Sequence, residues 1–199
     1  MAKRLFDITF SLLGLLLLLP LFIIVAILIA VDSPGGIFYR QRRVGHHVKP
    51  FLLWKFRTMH SHADRLGMLT IGTIDQRITR TGRWLRKYKL DELPQLINIL
   101  LGEMSFVGPR PEVAKYVKYY TKAQLRVLTV KPGLTDLTSL SFFDENELLG
   151  STKDPESLYI KEIIPVKIQQ SLSYIDHRSF FGDMSIIFKT ITKIILQMN

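Results

Sequence analysis

The chain has 199 residues, with 27 Lys or Arg against 17 Asp or Glu and a formal net charge of +10. That balance suits anionic partners such as lipid headgroups, phosphorylated substrates or nucleic acid without choosing among them, and the length bounds the chain to about one domain with an appendage. The absence of cysteine excludes disulfides, thiolate catalysis and Cys-ligated zinc.

From Ile8 to Val31 the chain runs for 24 residues without a charge. One straight helix of that length would reach roughly 36 Å, enough to cross a hydrocarbon core. A cleaved signal peptide has a shorter apolar run and a small-residue cleavage site, whereas here Asp32-Ser33-Pro34-Gly35-Gly36 and a basic segment follow. Lys3 and Arg4 precede the run, and Arg40, Arg42, Arg43 and Lys49 follow it, so both flanks ask for the cytoplasmic side. Pro20, near the middle, deletes a backbone hydrogen bond. A helix broken there can return to the face it entered and satisfy both flanks; a kinked but spanning helix is the alternative.

Residues 37–59 alternate apolar and basic side chains and predict one or two short strands or extended segments. Residues 60–75 read as a polar loop. Residues 76–89 carry six basic side chains, with Trp84 and Leu85 as the expected anchors. A helix is predicted to start at Asp91, to bury Leu93, Leu96, Ile97 and Leu100, and to stop at Gly102. Further helices are expected over Pro111–Arg126 and 155–173, separated by a turn and irregular structure at 130–140. The end of the chain places Ile187, Phe188, Ile191, Ile194 and Ile195 on one face and Lys189 and Lys193 elsewhere. This pattern fits either an interfacial amphipathic helix or one packed on the core.

Phosphate loops of the Gly-rich Lys-Ser/Thr type, dinucleotide fingerprints and His-Glu-x-x-His metal motifs are all absent. The four histidines at 46, 47, 60 and 62 read as solvated or structural. The Asp91-Glu92 pair has two readings. Asp is a favoured N-cap and Glu suits the first turn of a helix; equally, an ionised Asp can attack phosphorus. Arg86 lies five residues before Asp91, and Arg110 sits in a stiff Gly-Pro-Arg-Pro turn, with a guanidinium fork suited to phosphate oxygens.

The run RITRTGRWLRKYKLDELPQLINILLGEMSFVGPRPE closely resembles the signature of the bacterial sugar transferases, the monotopic phosphoglycosyl transferases. KRLFD near the start, RQRRVG, WKFRTM and KPGLT extend the resemblance over nearly the whole chain. It implies an α+β, mostly helical membrane-associated domain with a few short strands. Residues 1–36 would be a re-entrant, helix-break-helix anchor that breaks at Pro20. Residues 37–199 would be the catalytic domain, with interfacial amphipathic helices, on the cytoplasmic face of a bacterial inner membrane. The implied reaction moves a sugar-1-phosphate from a UDP-sugar to polyprenyl (undecaprenyl) phosphate and releases UMP, with Mg2+ as cofactor and membrane lipids as partners. It opens the assembly of a capsule, O-antigen, exopolysaccharide or glycoprotein glycan.

By the same resemblance Asp91 is the nucleophile and a magnesium contact, and Glu92 is its acidic partner. Arg86 and Arg110 hold phosphates, Pro109 and Pro111 shape the turn, and Lys55 and Arg57 are further phosphate contacts. Asp183 matches an acidic position without an assigned role. Three departures stand out: Leu19 where many members have Ser, Asp136-Leu137 where Gly-Trp is common, and SLSFFDENELLG after it. The last two fall where donor selectivity is expected. Nucleic acid is not expected as a partner, because basic and aromatic residues barely interleave, and association between copies is left open. The alternative classes are a non-enzymatic basic membrane or nucleic-acid-binding protein and an inactive scaffold subunit.

Overall fold

The apolar N-terminus forms two helices rather than one, α1 (Ala2–Leu17) and α2 (Leu19–Asp32), bent by 59° at Leu18. Pro20 stands in the first turn of α2, where a missing N–H costs nothing, so the break falls two residues ahead of the proline. In this computed structural model, residues 2–63, 75–141, 145–150 and 152–196 are described. The polarity of α1 is inverted relative to a water-soluble helix, and α2 leaves most of its apolar side chains exposed. Asp7 and Ser11 are the buried residues of α1, while Leu16, Leu17, Leu19, Ile23, Ile24, Ile27 and Val31 are exposed. No single described helix is long and apolar enough to cross a membrane.

Three polar side chains of KRLFD fasten α1 to the rest of the chain. Arg4 donates to the carbonyls of Ile99 (2.6 Å) and Leu100 (2.8 Å). Asp7 accepts from Ser105 Oγ and the Phe106 amide, both at 3.1 Å. Lys3 donates to the Val107 carbonyl at 3.0 Å and pairs with Asp183, which also accepts from Tyr174 Oη at 2.7 Å. Asp183 is therefore a structural tie between the two ends of the chain.

The expected strands form an antiparallel hairpin, β1 (Phe38–Val44) and β2 (Pro50–Phe56), in register from Phe38 opposite Phe56 to Val44 opposite Pro50. Phe51, Leu53 and Phe56 turn inward. Residues 64–74, most of the expected polar loop, lie outside the described residues. Helix α3 (Arg80–Lys87) is capped by Thr79, whose side chain accepts from the Gly82 amide at 2.9 Å. Gly82 is required by proximity: a Cβ there would meet the Thr58 carbonyl oxygen at 2.1 Å. Leu85 is the anchor, packed with Val25, Ile29 and Phe56, whereas Trp84 is 45% exposed, because a helix this short presents one face to α2 and the other outward.

Helix α4 (Gln95–Leu101) ends at Gly102, in left-handed conformation as expected. Its buried face, Gln95, Leu96, Asn98 and Ile99, is offset from the predicted one because Asn98 turns inward, donating to the Leu52 carbonyl (2.8 Å) and accepting from the Trp54 amide (3.0 Å). The strands β3 (Ser105–Val107) and β4 (Gly133–Thr135) pair in parallel. The helix expected over Pro111–Arg126 is only α5 (Ala114–Val117) followed by a tight turn at Gln124–Thr129. A reciprocal Thr121–Gln124 bond pair restarts the chain there, which is a capping box.

After β4, expected to be irregular, α6 (Leu137–Ser141) forms because Asp136 accepts from the Ser139 amide at 2.8 Å. Next come α7 (Glu145–Gly150), α8 (Pro155–Leu158) and α9 (Ile164–His177). The last two are joined by a π-turn at Tyr159–Ile163, just ahead of Pro165, which has no N–H to continue an α-helical ladder. The expected helix at 155–173 is thus real, four residues longer, and interrupted. In α10 (Phe180–Leu196) the apolar face divides. Ile186 is buried, while Phe188, Ile191 and Ile195 are exposed. The architecture is α+β with helices dominant and two separate two-stranded sheets among the described residues.

Candidate active site

The Asp-Glu pair lies in a short 3-10 turn, Leu90–Glu92, and not at the head of a helix. Helix α4 begins at Gln95 after Pro94, without a side-chain cap. Asp91 therefore does not serve as the N-cap expected from its position, and its carboxylate is available for other work. The chain enters this turn through Lys89, whose backbone is left-handed (φ 55°, ψ 18°).

From the other side, Gly108-Pro109-Arg110-Pro111 is lashed to Pro132-Gly133-Leu134-Thr135. Gly108 N donates to the Thr135 carbonyl (3.2 Å) and Gly133 N to the Pro109 carbonyl (3.0 Å). A Cβ on Gly133 would lie 2.2 Å from Gly108 N, so side chains are excluded where the two segments cross. The Pro111 carbonyl takes a bond from Arg43 Nη1 at 3.0 Å. Arg43 also meets Glu112 Oε1 at 3.2 Å, and Tyr159 Oη donates to the other Glu112 oxygen. Glu112 and Tyr159 carried no signal in the sequence; they are 47 positions apart and meet only through the fold.

These supports bring Arg110 to Glu92. Arg110 Nη2 pairs with Glu92 Oε1, Nη1 stands 3.3 Å from Oε2, and Lys55 Nζ donates to Oε1 at 2.9 Å. Burial alone would raise the Glu92 pKa, but Arg110 and Lys55 hold it well below the ordinary carboxylate range. Asp91 is different. Its sole ion pair among the described residues is with Lys55 at 3.9 Å, and it accepts no hydrogen bond from them. Burial pushes its carboxyl above the ordinary value despite the opposing pull of Lys55, and Glu92 adds to the rise. Arg86, lowered by burial, donates through Nε to Thr58 Oγ1 at 2.8 Å and faces Asp91 electrostatically.

Asp91, Glu92, Lys55, Arg86, Arg110 and Pro111 thus border one cavity of about 1000 Å³. Arg57 also lines it, but its guanidinium is committed elsewhere. Nε donates to the Gly36 carbonyl (2.5 Å), Nη1 to Pro34 (2.8 Å) and Nη2 to Ser33 (2.7 Å). These three bonds make Arg57 a clamp on the loop that leaves α2, a structural role not expected from the sequence. Pro20 lies in the helix pair, at the break. Lys89, not singled out by any motif, also borders the cavity.

Among the described residues no three His, Cys, Asp or Glu side chains converge as a metal cage. The donor set nonetheless fits Mg2+, which takes one or two carboxylates and completes its shell with water and substrate phosphates. Asp91 offers an oxygen without a hydrogen-bonded partner, whereas both Glu92 oxygens are occupied by cations.

Buried carboxylates ringed by Lys and Arg in an open cavity, on an α+β frame with an exposed apolar helix pair, have a charge pattern suited to phosphate-bearing ligands. The chain belongs to the bacterial sugar transferase family, whose profile matches residues 1–197. It is 37% identical over 196 residues to the uncharacterized sugar transferase EpsL of Bacillus subtilis (strain 168), covering 98% of this chain and 87% of that protein. It is 36% identical over 211 residues to the exopolysaccharide production protein ExoY of Rhizobium meliloti (strain 1021), with 98% and 86% covered. A UDP-glucose:undecaprenyl-phosphate glucose-1-phosphate transferase of Xanthomonas campestris pv. campestris is 38% identical over 200 residues, with 98% of this chain but 39% of that protein covered.

Proposed function

We propose that this chain transfers a sugar-1-phosphate from a UDP-sugar to polyprenyl phosphate through a covalent adduct on Asp91, and so opens the assembly of a cell-surface glycan. The observation that carries the reading is the contrast between two adjacent buried carboxylates. Glu92 is clamped by Arg110 and Lys55, while Asp91 accepts no hydrogen bond among the described residues and keeps its lone pairs for reaction. A carboxylate whose pKa is raised is also the more basic nucleophile once ionised.

In the first step an Asp91 oxygen forms a bond to the phosphorus that bears the sugar. The bond from that phosphorus to the bridging oxygen breaks, and UMP leaves with the electron pair. An oxygen of the lipid phosphate then attacks the same phosphorus, the acyl-oxygen bond to phosphorus breaks, and the Asp91 carboxylate is regenerated. Lys55, Arg86 and Arg110 meet the charge on the phosphoryl oxygens without reorganising. Glu92, already ionised, fixes Arg110 and Lys55 in place. Magnesium, held by Asp91 and substrate oxygens, would supply charge neutralisation at the diphosphate.

The helix pair forms the membrane anchor. Polar Asp7 and Ser11 point into the protein while Leu16, Leu17, Leu19, Ile23, Ile24 and Ile27 point out, which is stable against lipid and unfavourable against water. A re-entrant path satisfies both basic flanks on the cytoplasmic face. The exposed apolar side chains of α10 lie in the membrane interface in the same reading.

The test is UMP release by the purified chain with magnesium, undecaprenyl phosphate and a panel of UDP-sugars. Asp91→Asn preserves shape but not nucleophilicity, so turnover should fall by at least about 10³-fold while the melting temperature is kept. Wild-type turnover in that variant would remove Asp91 from the chemistry.

A further inference from the structure

Lys89 reaches the active site through a backbone conformation that a lysine rarely adopts, with φ 55° and ψ 18°. Its peptide unit is the hinge between α3 and the Asp-Glu turn: Lys89 N donates to the Arg86 carbonyl at 3.2 Å, and Glu92 N donates to the Lys89 carbonyl at 3.3 Å. Glycine would make this turn without steric cost. The chain instead carries a long cation there, half-buried and bordering the cavity with Asp91, Glu92, Arg86 and Arg110. Strain of this sort persists where the surroundings over-determine it, and it concentrates at ligand clamps.

We propose that Lys89 is a phosphate-binding residue of this site, and that the left-handed backbone is strain retained to aim its ammonium at the diphosphate of the nucleotide donor. The inference rests on the proposed reaction. Around the carboxylate pair stand four cations, Lys55, Arg86, Lys89 and Arg110, against Asp91 and Glu92. The cations facing the pair outnumber its carboxylates, which suits a diester diphosphate with one negative charge on each phosphate. Lys55 and Arg110 pair with Glu92, and Lys89 brings a further cation to the border of the same cavity.

The experiment compares Lys89→Gly, Lys89→Ala and Lys89→Arg in the full-length chain. Three readouts apply: UMP release, melting temperature, and the rise in melting temperature produced by UDP. Glycine and alanine both remove the cation, and only glycine relieves the backbone. Both variants should lose about 10²-fold in kcat/KM and lose the UDP-induced rise, while arginine keeps most of each. Lys89→Gly should melt about 2–4 °C above Lys89→Ala, with the same loss of activity in both.

Wild-type kcat/KM and a wild-type UDP response in Lys89→Ala would overturn the phosphate role. Equal melting temperatures for glycine and alanine would overturn the strain. A wild-type chain that releases no UMP from any UDP-sugar would sink the reaction instead, and the UDP response and the glycine–alanine difference would still decide the claim about Lys89.

Discussion

Arg57 separates the phosphate-binding reading of WKFRTM from the clamp that the structure shows, and Arg57→Ala measures the difference. Arg57 is 8% exposed and holds the Ser33, Pro34 and Gly36 carbonyls with three charged donor nitrogens. Hydrogen bonds from a charged donor contribute about 1.5–3 kcal/mol each, and an acceptor left buried adds its desolvation cost. Ser33 is buried, whereas Pro34 and Gly36 are exposed and their carbonyls can take water. The full cost therefore falls mainly on one bond, and the net loss should be about 3 kcal/mol. For a chain of this size each kcal/mol lowers the melting temperature by about 2–4 °C, which predicts a drop of roughly 6–12 °C. The assay is thermal unfolding of the purified chain, paired with UMP release at a temperature where both proteins are folded. Turnover per folded molecule should stay within about threefold of wild type, a change equivalent to less than 1 kcal/mol. A melting temperature within about 2 °C of wild type, with a hundredfold loss of turnover, would refute the clamp and return Arg57 to the phosphate.

Arg110→Lys keeps the charge but loses the two-pronged grip on Glu92, so kcat/KM should fall by about 10–10²-fold; an unchanged rate would make Arg110 a purely structural partner of Glu92. The acid limb of kcat/KM against pH should lie above the ordinary aspartate value of 3.8, because burial raises Asp91 and only its ionised form attacks. Its counterpart in stability has two signs. The contribution of Asp91 is present below 3.8 and is lost as pH rises through its raised folded value, whereas that of Glu92 is present above 4.5 and is lost as pH falls. A limb at or below 3.8 would contradict the burial argument for Asp91. Pro20→Ala should let part of the population span the bilayer, read by labelling a cysteine placed at position 2 in a chain that has none of its own. Periplasmic labelling of that site with Pro20 intact would refute the re-entrant path.

What the sequence made legible was local. The hairpin at 38–56 follows from alternation, the bend near Pro20 from a missing N–H, and the end of α4 from Gly102. The capping box at Thr121 and Gln124 and the Asp136 cap were equally local signals, and missing them produced one helix too long and one too few. What stayed illegible depends on distance along the chain or on direction in space. Strands β3 and β4 hold three residues each and pair Ser105 with Gly133, so no periodicity announces them. Arg110 was expected at a phosphate from its stiff turn and Arg57 only from the family resemblance; the fold turns one toward Glu92 and the other toward the Ser33 carbonyl. Lys89 was hidden for a further reason, since its conformation runs against its own preference.

The boundary drawn at residue 36 separates two surfaces, one facing lipid in the proposed reading and one facing the nucleotide, but it does not separate two cores. Leu15 and Leu18 pack with Leu96, Ile99 and Met104, and Val25 and Ile29 pack with Phe56 and Leu85. Arg4 closes the carbonyl end of α4, while Lys3 and Asp7 hold β3 at Val107 and Phe106. Helix α4 follows directly on the Asp91-Glu92 turn, and β3 leads directly into Arg110. Each half of the site is thereby fixed to the helix pair within a few residues of its working group. A lipid phosphate arriving at the surface beside α1 and α2 would meet carboxylates and arginines whose height above that surface is set by these contacts. The helix pair in this chain is one wall of the fold that carries the site.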